Sequence, residues 1–228
     1  MISKNNSQEK PNFNEQFNFE ENWYLENLDF VDWCRYFYII REVIDLKPRS
    51  ILDIGSGNGI IKNCLKPIVD EYKVMDINAK LKPDYLNDIR NLKPELKEKF
   101  DCIICAEVLE HMPFEDLEKN LKNIFCYLNK NSKALITIPH RENRVAILNL
   151  FSHQRPLIIT IPNWLHTPKG YYPRFFKGER KTKDPHHCWE IGMDGIEKEN
   201  VEEIIGKVGF EIEKFKKLLY VDFWVLRK

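Results

Sequence analysis

Short apolar runs alternate with segments of helical periodicity between residues 29 and 140. The runs at 50–54, 71–75, 100–105 and 133–138 have the length and composition of strands, and 84–86 is a shorter run of the same kind. Apolar residues at helical spacing predict helices at 29–46, 59–65 and 115–128. Strands separated by helices pair in parallel through right-handed crossovers. The pattern therefore predicts an α/β fold with a mostly parallel sheet and helices on both of its faces.

The remainder of the chain interrupts this alternation and then resumes it. Residues 140–190 contain five prolines and no long periodic pattern, and a segment of this length without clear elements is usually functional. A helix at 198–208 is followed by strands near 210–215 and 220–226, which predict an antiparallel hairpin at the sheet edge. We predict one domain over 29–228, with a lid-like substrate insertion at about 140–190, preceded by a flexible N-terminal tail at 1–28.

Charge and cysteine content exclude several classes of partner. Lys and Arg total 35, as do Asp and Glu, so net charge does not predict binding to polyanions or membranes. The longest apolar run is too short to cross a bilayer, and residues 1–11 lack the apolar core of a secretory signal. Cys102 and Cys105 should face opposite sides of their strand, and no second cysteine pair has zinc-like spacing. We expect free thiols in a reducing cytoplasm.

A glycine-rich turn follows the first strand, in the segment from Ile51 to Gly59. Glycines between a strand and a helix let the backbone approach a ligand closely at the helix N-terminus. The spacing does not match a dinucleotide fingerprint, because Ile60 occupies the position of its last glycine. A phosphate-binding loop is also excluded, because no Gly-Lys-Ser/Thr sequence follows.

The pattern Asp53-x-Gly55-x-Gly57-x-Gly59 resembles the first motif of class I S-adenosylmethionine-dependent methyltransferases. Residues 100–111, FDCIICAEVLEH, resemble a stretch found in small-molecule members of that class. The resemblance covers about residues 45–140 and, more weakly, 195–228. It implies a Rossmann-like, seven-stranded sheet and S-adenosyl-L-methionine as cofactor. The cofactor-binding residues that it implies are Asp53, Gly55, Ser56, Gly57, Gly59, Asp76, Ile77, Asp88, Ile89 and Glu107.

The resemblance also implies roles for the acidic residues of this set. Asp76, at the end of the second strand, would accept both ribose hydroxyls. Asp88 would bond the adenine amino group, while the backbone amide of Ile89 reads the ring. Glu107 would lie nearest the cationic sulfonium end. Each acidic residue taken alone is equally consistent with a surface charge, and their order at three strand ends favours the binding role.

A hydroxyl acceptor would gain from a general base, and histidine is matched to that task near neutral pH. We predict His187 as the base and Glu190 as the residue that orients it, with His140 and His111 as alternatives. The alternative is a purely structural role, in which histidine and tryptophan side chains pack to support a loop. No metal is expected, because the adjacent residues 186–188 would splay apart as ligands. Metal-dependent catechol-type relatives also carry an acidic residue directly after the fourth strand, where this chain has Ala106.

The acceptor is indicated by the insertion. Residues 169–183, called the basic strip below, carry six basic side chains among four aromatic ones and a single Glu179. Such a strip fits a solvated loop, a lid over an anionic or sugar acceptor, or single-stranded RNA. The order of motifs resembles methyltransferases associated with surface-polysaccharide assembly, which implies O-methylation of a sugar or of a phosphorylated or nucleotide-linked saccharide precursor. The alternatives are an RNA methyltransferase and a non-catalytic partner subunit. No DNA target is expected, since no Asn/Asp-Pro-Pro-Tyr/Phe sequence is present, and the oligomeric state is not predicted.

Overall fold

The computed structural model describes residues 19–26, 28–142, 144–147, 157–160 and 186–228. Within them the strands are β1 (Ser50–Ile54), β2 (Glu71–Asp76), β3 (Tyr85–Leu86), β4 (Phe100–Ala106), β5 (Leu128–Pro139), β6 (Arg144–Ile147), β7 (Leu157–Thr160), β8 (Glu211–Lys217) and β9 (Val221–Arg227). The α-helices of the same residues are α1 (Glu21–Glu26), α2 (Phe30–Leu46), α3 (Ile60–Leu65), α4 (Leu117–Tyr127) and α5 (Lys198–Val208).

Seven of the described strands form one sheet in the order β3-β2-β1-β4-β5-β9-β8. The first five are parallel to one another, and β9 pairs antiparallel with both β5 and β8. The predicted fold class is confirmed, including the antiparallel C-terminal hairpin at the edge. The chain order β1-β2-β3 runs to one side of β1, and β4 lies on its other side. The carboxyl ends of β1 and β4 are therefore neighbours at the position where such sheets bind ligands.

The two faces of the sheet carry separate apolar clusters. Leu52 and Ile54 of β1 belong to the cluster that includes residues of α4 and α5, whereas Ile51 belongs to the one with residues of α2 and α3. Cys105 and Cys102 divide between the same two clusters, as the alternation of side chains along a strand requires. The six cysteines all lie in the described residues, and none of them forms a disulfide. Each fully buried Leu or Ile adds about 1.5–3 kcal/mol to the free energy of unfolding.

Helix α2 begins and ends where its sequence predicts, but part of its apolar surface is exposed. Asp29 caps the helix through a reciprocal pair of hydrogen bonds with Asp32, and the helix ends at Lys47, one residue before Pro48. The buried face consists of Arg35, Tyr36, Ile39 and Val43. The large apolar residues Phe30, Trp33, Phe37 and Ile44 are instead exposed. The helix is apolar around much of its circumference, so only packing selects the buried face.

The segment 140–190 holds one feature that its sequence does not predict. β6 and β7 pair with each other as an antiparallel two-stranded sheet, separate from the main one. The basic strip lies outside the described residues, as does most of the predicted tail. From that tail, residues 21–26 are helical, and the Asn78 side chain donates a hydrogen bond to the Phe19 carbonyl. None of the described helices combines the length and the apolar composition that a membrane span needs.

Candidate active site

The turn between β1 and α3 places bare backbone at the carboxyl ends of the strands. Gly55, Gly57 and Gly59 all have positive φ angles, of 74°, 51° and 68°. A Cβ atom on Gly55 would lie 2.4 Å from Cγ2 of Val108, so no other residue fits there without a shift. The Gly55 amide donates to the Met75 carbonyl at 2.9 Å, which joins the turn to the neighbouring strand. The turn therefore has a fixed position and presents backbone atoms, without side chains, to the cavity described next.

A cavity of about 470 Å³ lies against this turn, within the usual size range of small-ligand sites. It is lined by residues that follow β1, β2, β3 and β4, the strands whose carboxyl ends meet at this edge of the sheet. Eight of the predicted site residues line it: Gly55, Gly57, Asp76, Ile77, Asp88, Ile89, Glu107 and His111. Of the other predicted cofactor residues, Ser56 and Gly59 belong to the turn itself and Asp53 lies elsewhere.

The two carboxylates predicted to bind the nucleoside already have partners. Asp76 accepts a hydrogen bond from the Asn78 amide at 2.8 Å. Burial raises the pKa of Asp76, and the amides of Asn78 and Ile77 offset part of that rise. Asp88 accepts three side-chain hydrogen bonds from Arg90, at 2.6 and 3.0 Å on Oδ2 and at 3.1 Å on Oδ1. Burial would raise the pKa of Asp88, but the hydrogen bonds and charge of Arg90 outweigh it and lower the pKa.

Glu107 is fixed by residues that the sequence did not suggest. It follows β4 with a φ of 55°, a left-handed conformation that is uncommon outside glycine. Thr137 donates to its Oε1 at 3.2 Å, and Arg35 lies 3.4 Å from its Oε2. Arg35 also donates to the Tyr220 hydroxyl and contacts Asp32 at 3.0 Å. Burial raises the pKa of Glu107, and the charge of Arg35 counteracts it. The sequence carried no signal for this network, because periodicity does not single out the face of α2 that carries Arg35.

Asp53 faces away from the cavity, although it begins the glycine motif. Its side chain is buried and accepts a hydrogen bond from the Tyr72 hydroxyl at 2.7 Å. Because Leu52 and Ile54 point to one face of the sheet, the residue between them must point to the other. Burial raises the pKa of Asp53 to about 7, the Tyr72 hydrogen bond lowering it in part. Direct contact of this carboxylate with a ligand in the cavity is therefore not supported.

The raised pKa of Asp53 makes stability depend on pH. Between about pH 4 and pH 7 the folded chain binds this proton more tightly than the unfolded chain, so the free energy of unfolding falls as pH rises. One such carboxyl contributes on the order of 4 kcal/mol across that window. We expect Asp53→Asn to flatten the dependence, because the amide is neutral and its oxygen still accepts from Tyr72. Urea unfolding at pH 5 and pH 8 measures this pH dependence of the free energy of unfolding.

The control for this prediction is Asp70→Asn, since the Asp70 side chain is 77% exposed. That variant should retain the pH dependence of the wild type. Asp53→Asn should keep a residual slope, because burial also raises the pKa values of Glu107 and Glu110. Equal slopes for Asp53→Asn and the wild type would show that Asp53 is ionised in the folded protein at pH 5.

A second group of side chains is assembled from two distant segments. The Cys188 amide donates to the Glu110 carbonyl at 2.7 Å, and the Trp189 indole donates to the Met112 carbonyl at 3.0 Å. Trp189 is among the largest fully buried side chains. These contacts attach residues 186–191 to the loop that follows β4. The segment before α5 therefore lies beside the Glu107 end of the cavity.

The predicted base and its orienting residue are brought together in this group. Nδ1 of His187 lies 2.8 Å from Oε1 of Glu190, and Glu190 is buried. His111 lies edge-on to His187, with ring centroids 4.8 Å apart, and its Nδ1 is 2.9 Å from the His186 carbonyl oxygen. Glu110 is fully buried with Oε1 4.0 Å from Nε2 of His187. Glu110 was missed, since its place in the EVLEH stretch indicated only a helix entry.

His140 lies apart from this group. Its Nε2 is 3.2 Å from the Leu218 carbonyl oxygen, and its Nδ1 accepts from the Glu142 amide at 3.1 Å. It is buried and does not line the cavity. Each ring nitrogen lies at hydrogen-bonding distance from a backbone group, which is typical of a structural histidine. The structure thus brings His111, His187 and Glu190 together and leaves His140 outside.

Comparison with known proteins agrees with this arrangement. Residues 29–169 match the family model described as a methyltransferase domain. The chain belongs to this family.

The chain is 27% identical over 137 residues to the ubiquinone biosynthesis O-methyltransferase of Coxiella burnetii. That match covers 49% of this chain and 57% of the relative, so the chain spans little more than half of the relative's length. Among solved structures, the N-methyltransferase NodS from Bradyrhizobium japonicum with S-adenosyl-L-homocysteine has a TM-score of 0.56 at 13% identity, covering 95% of this chain and 96% of NodS. The 1,6-didemethyltoxoflavin N1-methyltransferase of Burkholderia thailandensis has a TM-score of 0.53 at 12% identity, covering 85% and 76%. At these identities the structures establish the fold alone.

The residues around the cavity fit S-adenosylmethionine, the cofactor that the sequence resemblance implies. The glycine turn brings bare backbone to the cavity wall, where Gly55 packs so closely against the Val108 side chain that a Cβ atom would clash. Asp76 offers carboxylate oxygens suited to vicinal hydroxyls at the end of β2. Apolar walls from Ile54, Met75, Leu86 and Val108 suit a flat ring and an alkyl chain.

Proposed function

We propose that the chain methylates an oxygen of a small-molecule acceptor, a sugar or a phosphorylated or nucleotide-linked saccharide precursor. The observation that carries the oxygen acceptor is the imidazole of His187, held by Glu190 at 2.8 Å beside the Glu107 end of the cavity. An oxygen nucleophile needs help in losing its proton, whereas many amines do not. The match to an O-methyltransferase supports the same chemistry.

The order of the strands supports the placement of the cofactor. Since the sheet runs β3-β2-β1-β4, the residues after these strands follow the same order along the cavity. We infer that Asp88 and Ile89 hold the adenine, Asp76 the ribose, and Gly55 and Gly57 the middle of the cofactor. Glu107 then lies at the sulfonium end. When bound, the cofactor supplies an activated methyl group.

The protein's own part in the reaction is alignment and proton handling. The Arg35–Glu107–Thr137 contacts hold Glu107 in one position, so its carboxylate is preorganised beside the reactive end of the cavity. The Glu190 carboxylate accepts from Nδ1 of His187, which fixes the imidazole with Nε2 as the atom able to act on an acceptor hydroxyl. An acceptor aligned there is positioned for in-line displacement.

We expect Asp76→Ala to weaken S-adenosylmethionine binding at least about tenfold, because the ribose hydroxyls would lose charge-assisted hydrogen bonds. Calorimetric titration with S-adenosylmethionine and S-adenosylhomocysteine measures the effect. Asp70→Ala is the matched control, since Asp70 is an exposed carboxylate just before the other end of β2. Unchanged affinity in Asp76→Ala would remove the ribose assignment.

The acceptor class is tested by product release from a panel. Monosaccharides, sugar phosphates, nucleotide sugars and phenols are each incubated with the chain and S-adenosylmethionine, and S-adenosylhomocysteine is quantified. Methylation of a sugar-type acceptor on oxygen supports the proposal, and the methylated atom follows from mass and magnetic resonance spectra. Turnover of phenols but no sugar would replace the acceptor class while retaining O-methylation.

RNA is the second candidate acceptor, favoured by the basic strip at 169–183. Binding through Lys and Arg would fall steeply with salt, because counterions are released from the phosphates. Neutralising the six basic residues of the strip should then abolish RNA binding. A small-molecule acceptor predicts little salt dependence. We also propose a cytoplasmic location, which six cysteines without a disulfide bond among them support.

A further inference from the structure

Glu110, His111 and His187 meet beside the reactive end of the cavity. One nitrogen or oxygen atom from each lies within 4.8 Å of the other two, and Nε2 of His187 is 4.0 Å from Oε1 of Glu110. Ligand atoms about 2.1 Å from one cation lie about 3.0–3.5 Å from each other in octahedral or tetrahedral geometry. Side-chain movements of about 1 Å would therefore place all three around a single ion.

Both imidazoles are oriented for metal binding by hydrogen-bond acceptors at their Nδ1 atoms. The His186 carbonyl oxygen can only accept a hydrogen bond, so Nδ1 of His111, at 2.9 Å, carries the proton. The Glu190 carboxylate holds Nδ1 of His187 in the same way at 2.8 Å. In both rings the lone pair is then on Nε2. A histidine that ligates a metal typically donates its other N–H to a carboxylate or a backbone carbonyl, as both do here.

Glu110 supplies the independent evidence for a ligand. Its side chain is fully buried, and neither carboxylate oxygen has a hydrogen-bond partner in the described part of the chain. Buried carboxylates are normally paired or bound to a metal. Protonation alone would remove the charge but would leave a buried hydroxyl without an acceptor. A cation within reach of Glu110 satisfies the carboxylate and needs no further protein group.

We propose that Glu110, His111 and His187 bind one divalent transition-metal cation. Two imidazoles and one carboxylate favour ions of the Mn²⁺, Co²⁺ and Zn²⁺ class over Mg²⁺ and Ca²⁺, which prefer oxygen ligands. The sequence predicted no metal because residues 186–188 cannot converge on one ion. Only one of those residues is needed, because the other two ligands come from a segment about 75 positions earlier.

The cation would act on the acceptor, and this second half rests on the proposed O-methylation. Three protein ligands leave at least one coordination position open, and His111 lines the cofactor cavity. In this arrangement Nε2 of His187 would be a metal ligand and not the general base. An acceptor hydroxyl at the open position would have its pKa lowered by the metal and would release its proton to solvent. Glu107 remains outside the ligand set, because Arg35 and Thr137 engage its carboxylate.

Metal binding is tested on metal-stripped protein by calorimetric titration with MnCl₂ and with ZnCl₂, and by the visible absorption of bound Co²⁺. We expect one ion per chain in the wild type, and at least about tenfold weaker binding in both His187→Ala and Glu110→Gln. His186→Ala is the matched control, because its side chain is exposed and its backbone carbonyl is retained. That variant should bind the ion as the wild type does.

Two results would overturn the proposal. One is the absence of binding to the wild type at about 1 mM metal, and the other is equal weakening in His186→Ala and His187→Ala. S-adenosylhomocysteine affinity and the thermal unfolding midpoint verify that each variant is folded, and Glu110→Gln and His187→Ala serve as independent probes if one of them is not.

The experiments distinguish a failure of the metal's proposed catalytic role from a failure of the proposed acceptor. Bound metal together with O-methylation that is insensitive to chelation would remove the catalytic half and leave the site. Bound metal together with methylation of nitrogen would refute the proposed acceptor oxygen instead. Loss of S-adenosylhomocysteine binding on chelation would place the ion in the cofactor site, contrary to the proposal.

Discussion

His187→Ala should lower kcat about a hundredfold or more while S-adenosylmethionine affinity stays unchanged. A positioned acid–base group contributes about 10²–10⁴-fold, and the loss of a metal ligand has effects at least as large. Cofactor affinity should be preserved because His187 does not line the cavity that Asp76 and the glycine turn form. Steady-state kinetics with the acceptor found in the panel, together with calorimetry for the cofactor, separate the two quantities.

Two further variants define what His187 does. Glu190→Gln keeps the size of the side chain but weakens the hydrogen bond at Nδ1, so kcat should fall by a smaller factor, about 10-fold to 100-fold. Lys122→Ala, which removes an exposed ion pair on α4, should leave kcat unchanged. Full activity in His187→Ala would exclude this residue from the reaction. His111, which lines the cavity, would then be the candidate base.

Gly55→Ala should weaken cofactor binding by about a hundredfold and also lower the free energy of unfolding. An alanine at a φ of 74° costs about 1–2 kcal/mol in backbone strain. The added methyl group would also lie 2.4 Å from Cγ2 of Val108, and overpacking of this kind costs a further 1–3 kcal/mol or so. Relief of the clash must move either the turn or Val108, and both line the cofactor cavity.

Gly195→Ala is a matched control for this variant. Gly195 has a φ of 79°, but a Cβ atom there has no neighbour within 4 Å. It should show the backbone cost alone, with cofactor affinity unchanged. The double variant Gly55→Ala/Val108→Ala should recover part of the lost affinity, because it removes Cγ2. Equal unfolding free energies and equal cofactor affinities for Gly55→Ala and Gly195→Ala would show that the turn relieves the clash with Val108 at no cost.

The sequence alone determined the order of the strands and helices that build the seven-stranded sheet, because those signals are local. It predicted neither α1 nor the β6–β7 pair. The helix predicted at 198–208 is Lys198–Val208, with Gly209 ending it in a left-handed conformation. The glycine turn, Asp76 and Asp88 also meet as predicted. Each follows a parallel strand, and the carboxyl ends of such strands share one edge of the sheet. Asp53 is the exception, because alternation along β1 turns its side chain to the face opposite Leu52 and Ile54, away from the cavity.

Only the tertiary structure decided which faces and which distant segments meet. Apolar side chains surround much of α2, so periodicity could not select Arg35, Tyr36 and Ile39 for burial. The pairing of Arg35 with Glu107 joins residues 72 positions apart. Glu110 meets His187 only because backbone hydrogen bonds attach residues 186–191 to the loop after β4. Such contacts depend on how packed layers align in space, a property that local propensity and spacing do not encode.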